Sequence, residues 1–367
     1  MHVHEVIRGL ALGGAETLLA LRLESRAADA PEGEYRTVFN AAPSQDFFAE
    51  RVAACVDGYS AAPTDSVLKG VVASFTAAGR TKPGAVVVLH SPAPAIGYKL
   101  YSALRNRRFT LVEVVHNTRY RPVYVLLGRL LNRQVDLCVC VSSAVAVSRS
   151  SSGFRRKDTI LGGVDAAGMR LWKERNPGAP ETMRAELGLG PGSRLLVNVG
   201  NLNPRKNQEQ LVRALAGLGP DTHLVVLGEG PERPRLVAAI DELGLGRRVH
   251  LLGSQPGAWR WIAVADLMVH PSHHEGLPVV VMEALTLGTP TLATAFGGVD
   301  DVLREGTNLT VTTARSPAAL TDAIARRLVD LPSIEQAWPS RLGTSSQWDI
   351  ERYTDEFYAA LTRAAAG

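Results

Sequence analysis

The stretch from His270 to Asp301, HPSHHEGLPVVVMEALTLGTPTLATAFGGVDD, decides the reading of this chain. An apolar strand over Asp266 to His270 runs into a loop, Pro271 to Leu277. Pro278 is expected to open a helix that Val279 to Leu287 continue. Proline suits a first helical position because the N–H it lacks would be unpaired there. Gly288 closes the helix, and Thr289 to Thr294 form the next buried strand. The loop and the helix N-terminus then face the carboxyl end of a sheet, the end at which open α/β sheets bind ligands. Two carboxylates flank the helix start, Glu275 in the loop and Glu283 in the helix, with seven residues between them.

Working toward the N-terminus, the second half repeats this alternation. Strands are expected at Leu195 to Val199, His223 to Leu227 and Val249 to Leu252. Helices are expected at Gln208 to Leu218 and Pro231 to Leu243. The first half shows the same rhythm. Strands are expected at Val3 to Ile7, Tyr35 to Phe39, Ala85 to His90, Phe109 to His116 and Val135 to Val141. Helices are expected from Ala15, over Asp65 to Ala78, and over Pro122 to Arg133. Near-continuous apolar strands alternating with helices indicate βαβ units and parallel sheets covered on both faces. After Val311 come helices at Pro317 to Leu331, Ile334 to Leu342 and Asp349 to Ala366. Residues 166–193 are rich in charge, Gly and Pro, and read as a connection with a short helix near Glu181 to Leu187. The expected domains are therefore 1–165, the connection 166–193, a second domain 194–345, and a C-terminal helix in 346–367. Each domain is expected to be doubly wound and Rossmann-like, the pair facing across a cleft.

Composition narrows the function. The 367 residues are 46% apolar, enough for two cores, and the formal charge is +4 with the signs interspersed. That argues against a nucleic-acid binder and still suits a phosphate-bearing substrate. Three cysteines do not make a disulfide framework, which suggests a reducing compartment. The start MHVHEVIRGL lacks a secretory pattern, and no apolar run reaches the roughly 18 residues of a membrane span. A cytoplasmic protein is expected.

Chemistry is expected where loops follow strands. Gly13 and Gly14 stand between a strand and a helix, a shape that binds anions or simply turns the chain; the full GxGxxG pattern is absent. His90 and His116 end two strands, either as satisfied strand-end histidines or on the ligand-binding edge. Three glycine-containing loops of the second half, Gly200 to Asn207 (GNLNPRKN), Gly228 to Gly230 (GEG) and the opening stretch, should converge. Arg205 and Lys206 stand there beside helix N–H groups, either as a diphosphate clamp or as solvated loop cations. Glu275 and Glu283 read either as an acid/base pair or as carboxylates with separate tasks, one of them accepting hydrogen bonds from a ribose diol. No metal-ligand grouping stands out, and no Asp-x-Asp pair occurs.

Glu275-Gly-Leu-Pro-Val-Val-Val-Met-Glu283, followed by Ala-Leu-Thr-Leu-Gly-Thr-Pro, resembles the Glu-x7-Glu signature of retaining nucleotide-sugar glycosyltransferases, specifically the family 4 group with the GT-B fold. The resemblance extends to Gly13-Gly14-Ala15-Glu16, VVHN at 114–117, VSSAV at 141–145, GGVD at 162–165, VGNLNPRKN, GEGPERPRL and the Gly297-Gly298 loop. It implies a GT-B fold with the C-terminal helix crossing back onto the first domain. It also implies transfer of a sugar from a nucleoside-diphosphate donor such as a UDP- or GDP-sugar to a hydroxyl acceptor, a cell-envelope glycan or glycolipid or a small-molecule glycoside, without metal or other cofactor. By the resemblance Lys206, helped by Arg205, binds the donor diphosphate, Glu283 holds the ribose, and Glu275 with Gly276, Leu277 and Pro278 contacts the sugar. Gly13, Gly14, Gly200, Gly228 and Gly230 line the donor, and His116 stands beside the anomeric carbon. His116, Lys206 and Glu275 are the expected catalytic residues. Asn201 follows Gly200 where many relatives have Arg, so either Arg205 serves the leaving phosphate from the next turn or that phosphate is stabilised less strongly in this chain. An epimerase or phosphorylase of the same fold and a non-catalytic sugar-nucleotide binding subunit are the alternatives. The acceptor is expected near residues 40–70 and 91–125, where Arg105, Arg107, Arg108, Arg119 and Arg121 read as solvated charges or as a surface for an anionic acceptor or the inner face of a membrane.

Overall fold

A computed structural model describes residues 1–10, 13–41, 47–62, 66–303, 308–341 and 348–367. The chain forms two compact units, Met1–Gly163 with Ile350–Gly367, and Val164–Asp349. The expected element ends at Asp65 and Leu342, the boundary at 345/346 and part of the expected acceptor region 40–70 lie outside the described residues.

The first unit is built on β1 (His2–Ile7), β2 (Tyr35–Asn40), β3 (Gly58–Ala61), β4 (Val86–Leu89), β5 (Thr110–Val115), β6 (Leu137–Cys140) and β7 (Lys157–Thr159). They pair in the order β3-β2-β1-β4-β5-β6-β7, every pairing parallel. The chain winds outward from β1 to β3 and then returns to β4, so the winding reverses between β1 and β4. Right-handed crossovers therefore put the helix Gly14–Ala28 on one face, and Val67–Arg80, Pro92–Leu104 and Pro122–Leu131 on the other. The central strands β4 and β6 bury every side chain, which is why they read as continuous apolar runs rather than alternating ones.

The helix Gly14–Ala28 buries Leu18, Leu19, Ala20, Arg22 and Leu23. A charged residue, Arg22, is thus buried among the leucines of this face. The C-terminal helix Ile350–Ala366 packs on this helix: the Arg22 guanidinium lies 3.8 Å from the Phe357 ring centroid, and that of Arg26 lies 4.3 Å from Tyr358. A cation over an aromatic face is attracted by the ring quadrupole, more so when both are out of water.

The second unit carries β8 (Arg194–Val199), β9 (Thr222–Leu227), β10 (Val249–Gly253), β11 (Leu267–His270), β12 (Thr291–Thr294) and β13 (Leu309–Thr312), in the order β10-β9-β8-β11-β12-β13, again all parallel. Here the winding reverses between β8 and β11. Residues 166–193, expected as a connection with a short helix near Glu181 to Leu187, are part of this unit and hold that helix and one more. The two helices are Ala166–Arg175 and Ala179–Glu186. Trp172 packs edge-on against Trp259 at 5.2 Å and Trp338 at 6.3 Å, and buried Arg184 donates to Asp266 at 2.9 Å. These partners lie far along the chain, so local composition hides them. Pro278 is also not the first helical residue. It is the N-cap of the helix Val279–Thr286, at φ −76° and ψ 117°, its carbonyl accepting from Val281 N at 3.0 Å.

Candidate functional site

In the second unit the reversal between β8 and β11 brings two loops side by side, as the rule for open α/β sheets requires. The loop after β8 carries Arg205 and Lys206, and the loop after β11 carries Glu275. The backbone N–H of His273 donates to the Arg205 carbonyl at 2.8 Å, tying the loops together. Lys206 Nζ stands 2.7 Å from Glu275 Oε1, and Arg205 Nη1 3.8 Å from Oε2. His270, the last residue of β11, brings Nε2 to 3.6 Å from the same Oε1. Burial pushes the Glu275 carboxyl up, but His270 and the Lys206 and Arg205 cations outweigh it and hold it well below the usual carboxylate range. Glu275 is therefore an anion at neutral pH, enclosed with two cations.

Glycines make the close approach of these loops feasible. A Cβ on Gly228 would meet the Gly200 carbonyl oxygen at 2.1 Å, and one on Gly230 the Leu202 oxygen at 2.3 Å. Both glycines have φ in the left-handed half, at 144° and 155°. Backbone thus stacks on backbone, with Gly228 N donating to the Gly253 carbonyl at 2.8 Å and Leu202 N to the Glu229 carbonyl at 2.9 Å. The Lys206 stem crosses Gly200, where an added Cβ would come within 3.2 Å of Cε. Asn207, left-handed at φ 56°, then turns the chain into the helix Gln208–Leu215. Asn201 is exposed, and its carbonyl accepts from Gln208 Nε2 at 3.3 Å.

Gly276, Leu277 and Pro278 are buried between Glu275 and the helix. Glu283 lies one turn inside that helix, also buried, and its surroundings differ from those of Glu275. No ion pair to it occurs among the described residues, and burial alone pushes its carboxyl up to about 7. The two glutamates thus stand in opposite electrostatic settings, one a fixed anion and the other poised to lose or keep a proton near neutrality. An acid/base pair of equivalents is not what the fold builds.

In the first unit the corresponding reversal lies between β1 and β4, and a buried polar network fills it. Arg22 Nη2 donates to Glu5 Oε1 at 2.8 Å, and Glu5 Oε2 lies 2.7 Å from His90 Nε2. Burial alone would raise the Glu5 carboxyl; Arg22 and His90 overcome this and hold it low. Burial keeps His90 neutral, so its Nε2–H donates to the Glu5 carboxylate and Nδ1 is left as an acceptor. The His116 ring lies beside it, centroids 5.8 Å apart. Burial, then His90 and Arg22, push the His116 pKa down to about 3. His90 Nδ1 and His116 Nε2 are both enclosed and have no hydrogen-bond partner among the described residues. Glu5 and Arg22 were not singled out from sequence, although a glutamate inside the apolar run HVHEVI and an arginine inside LLALRL are the available signals. Gly13 caps the helix Gly14–Ala28 from an extended conformation, with Thr17 N donating to its carbonyl at 2.9 Å. A Cβ there would meet Glu16 Oε2 at 2.4 Å.

Among the described residues no group of three or more His, Cys, Asp or Glu side chains is placed to hold a metal ion, and no helix is long and apolar enough to cross a membrane.

The family profile described as glycosyl transferases group 1 matches residues 180–337. The D-inositol 3-phosphate glycosyltransferase of Mycolicibacterium gilvum is 36% identical over 171 residues, 45% of this chain and 37% of that protein. The lipopolysaccharide core biosynthesis glycosyltransferase LpsD of Rhizobium meliloti is 30% identical over 202 residues, 55% of this chain and 56% of that protein. The matches thus span from about a third to just over half of these relatives' lengths. Among solved structures, Anabaena Alr3699/HepE in complex with UDP-glucose superposes with a TM-score of 0.78 at 20% identity, over 99% of this chain and 100% of that one. Sucrose-phosphate synthase from Thermosynechococcus elongatus gives 0.74 at 17% identity, over 100% and 99%. Residues 180–337, which bring Arg205 and Lys206 to Glu275, match the group 1 glycosyl transferases, in a chain with the two-unit GT-B fold.

Proposed function

We propose that this protein is a retaining glycosyltransferase that moves a hexosyl or related sugar from a nucleoside-diphosphate donor to a hydroxyl acceptor. The observation that carries the reading is the grouping of Lys206 and Arg205 with Glu275 where the winding of the second sheet reverses. Two cations at the edge of a buried site match the charge that develops on a departing diphosphate, which they stabilise without a proton transfer. Glu275 and the backbone from Gly276 to Pro278 hold the sugar, and Glu283 accepts hydrogen bonds from the ribose diol. The glycosidic carbon becomes oxocarbenium-like as its bond to the diphosphate oxygen breaks. The acceptor oxygen then bonds on the same face, and its proton passes to the diphosphate. His116 and Gly14 keep the roles that the resemblance implies. The UDP-glucose bound by the Anabaena neighbour and the glycosyltransferase names of the curated relatives support this donor class. We place the reaction in the cytoplasm.

Glu283 supplies a test with a definite sign. A diol donating to its carboxylate stabilises the ionised form, so binding lowers a pKa that starts at about 7. Uridine or guanosine affinity is then expected to rise with pH up to about 7 and to level off above it, with proton release on binding below that point. Titration calorimetry in buffers of different ionisation enthalpy reads both quantities. Glu283→Ala should weaken nucleoside binding and abolish the released proton while leaving free pyrophosphate binding nearly unchanged. Equal losses for nucleoside and pyrophosphate would rule out the ribose assignment.

A further inference from the structure

The helix Pro122–Leu131, PVYVLLGRLL, follows directly on the His116 loop and does not bury a single side chain. Such a sequence reads as a core helix. Instead Val123 is 53% exposed and Leu126 and Leu130 each 62%, spaced three and four residues apart so that they share one face. Leu104, at the end of the neighbouring helix Pro92–Leu104, is 70% exposed. A grouped set of large apolar side chains in water marks a surface built to be covered.

The surrounding charge has one sign. From Leu104 to Val135 the chain has seven arginines, at 105, 107, 108, 119, 121, 129 and 133, and one carboxylate, Glu113. Glu113 is buried against Lys99 and does not balance them at the surface. Arg107 pairs with Asp136 at 2.6 Å; the other six are exposed and form no ion pair among the described residues. Six unpaired guanidinium groups in a chain whose net charge is only +4 are a strong local excess.

We propose that the exposed face of the helix Pro122–Leu131, with its flanking arginines, docks on the surface of an anionic phospholipid bilayer. Val123, Leu126 and Leu130 enter the boundary between headgroups and acyl chains, as the apolar face of an interfacial helix does. Arg119 and Arg121 at one end, and Arg129 and Arg133 along one flank, meet lipid phosphates. The long arginine stems let their charges stay at headgroup level while the leucines go deeper. A protein partner with an apolar groove would cover the leucines, but the uniform positive rim favours a surface of uniform negative charge. Docking does not depend on the donor chemistry of the second unit, so vesicle binding and sugar transfer succeed or fail separately.

The test is flotation of the full chain with vesicles of phosphatidylcholine alone and with about 30% phosphatidylglycerol. The parent should bind the anionic vesicles at least about tenfold more than the neutral ones, and less as salt is raised. Leu126→Glu/Leu130→Glu should reduce binding to anionic vesicles at least about tenfold, with an unchanged circular dichroism spectrum. Arg129→Gln/Arg133→Gln should diminish the preference for anionic lipid. Val329→Glu, at an exposed apolar residue of the second unit, should bind as the parent does. Failure of the parent to bind anionic vesicles, or equal binding by Leu126→Glu/Leu130→Glu, would overturn the proposal. So would sedimentation showing a dimer that Leu126→Glu/Leu130→Glu dissociates, with no vesicle binding, because the face would then join two copies of this chain.

Discussion

Lys206→Ala is expected to lower turnover by about 10² to 10³-fold, the range seen when one preorganised electrostatic group is removed from a reacting oxygen. Nucleoside diphosphate binding should weaken by roughly tenfold to a hundredfold, the effect of one hydrogen bond to a charged group. The loss has two parts. The diphosphate loses a cation, and Glu275 loses the one that stands 2.7 Å from Oε1. Arg205 at 3.8 Å remains, so the Glu275 pKa should climb back toward the ordinary range without the site emptying of charge. Lys206→Arg should not restore full activity, because a planar fork cannot take the place of a compact ammonium packed across Gly200. Calorimetry with UDP and a nucleoside diphosphate release assay read the two effects separately. Unchanged UDP affinity in Lys206→Ala would remove the phosphate role.

Arg22→Met is expected to destabilise the first unit by about 3–5 kcal/mol, the cost of stranding one partner of a buried ion pair. Arg22 and Glu5 are both fully buried, and Glu5 would keep only His90 as a donor. The side chain over Phe357 is lost as well, so the C-terminal helix Ile350–Ala366 should loosen together with the helix Gly14–Ala28. Glu5→Leu/Arg22→Met should cost less than the sum of the two single changes, since removing both charges leaves neither unpaired. Urea unfolding of the three variants checks this. Additive costs would mean that the pair is not coupled as its geometry implies. Loss of Glu5 should also release the Nε2–H tautomer of His90, visible in the imidazole nitrogen shifts.

Both sheets were legible in the sequence because their central strands are covered on both faces and read as unbroken apolar runs. The second-unit site was legible because Glu275, Gly276, Leu277, Pro278 and Glu283 fall within nine residues of one another. What stayed hidden depends on contacts that local sequence does not encode. Glu5, Arg22 and His90 come from a strand, a helix and a strand end, and they meet only because β1 lies beside β4. Lys206 and Glu275, by contrast, stand on loops expected to converge, and they meet because β8 lies beside β11. Arg184 reads as one more charge in a polar connection, yet it is buried on Asp266 of the sheet. The helix Pro122–Leu131 is the opposite case. Its composition says buried, and only the structure shows that Val123, Leu126 and Leu130 are exposed.

The donor site of the second unit decides whether this chain transfers a sugar. The most direct measurement is release of nucleoside diphosphate from a panel of UDP- and GDP-sugars, with and without hydroxyl acceptors, by the parent and by Lys206→Ala. Acceptor-dependent release from one donor by the parent, with the anomeric configuration kept in the product and turnover lost in Lys206→Ala, is the predicted result. Tight nucleotide binding without release from any donor would contradict it, leaving a chain that binds sugar nucleotides and transfers nothing.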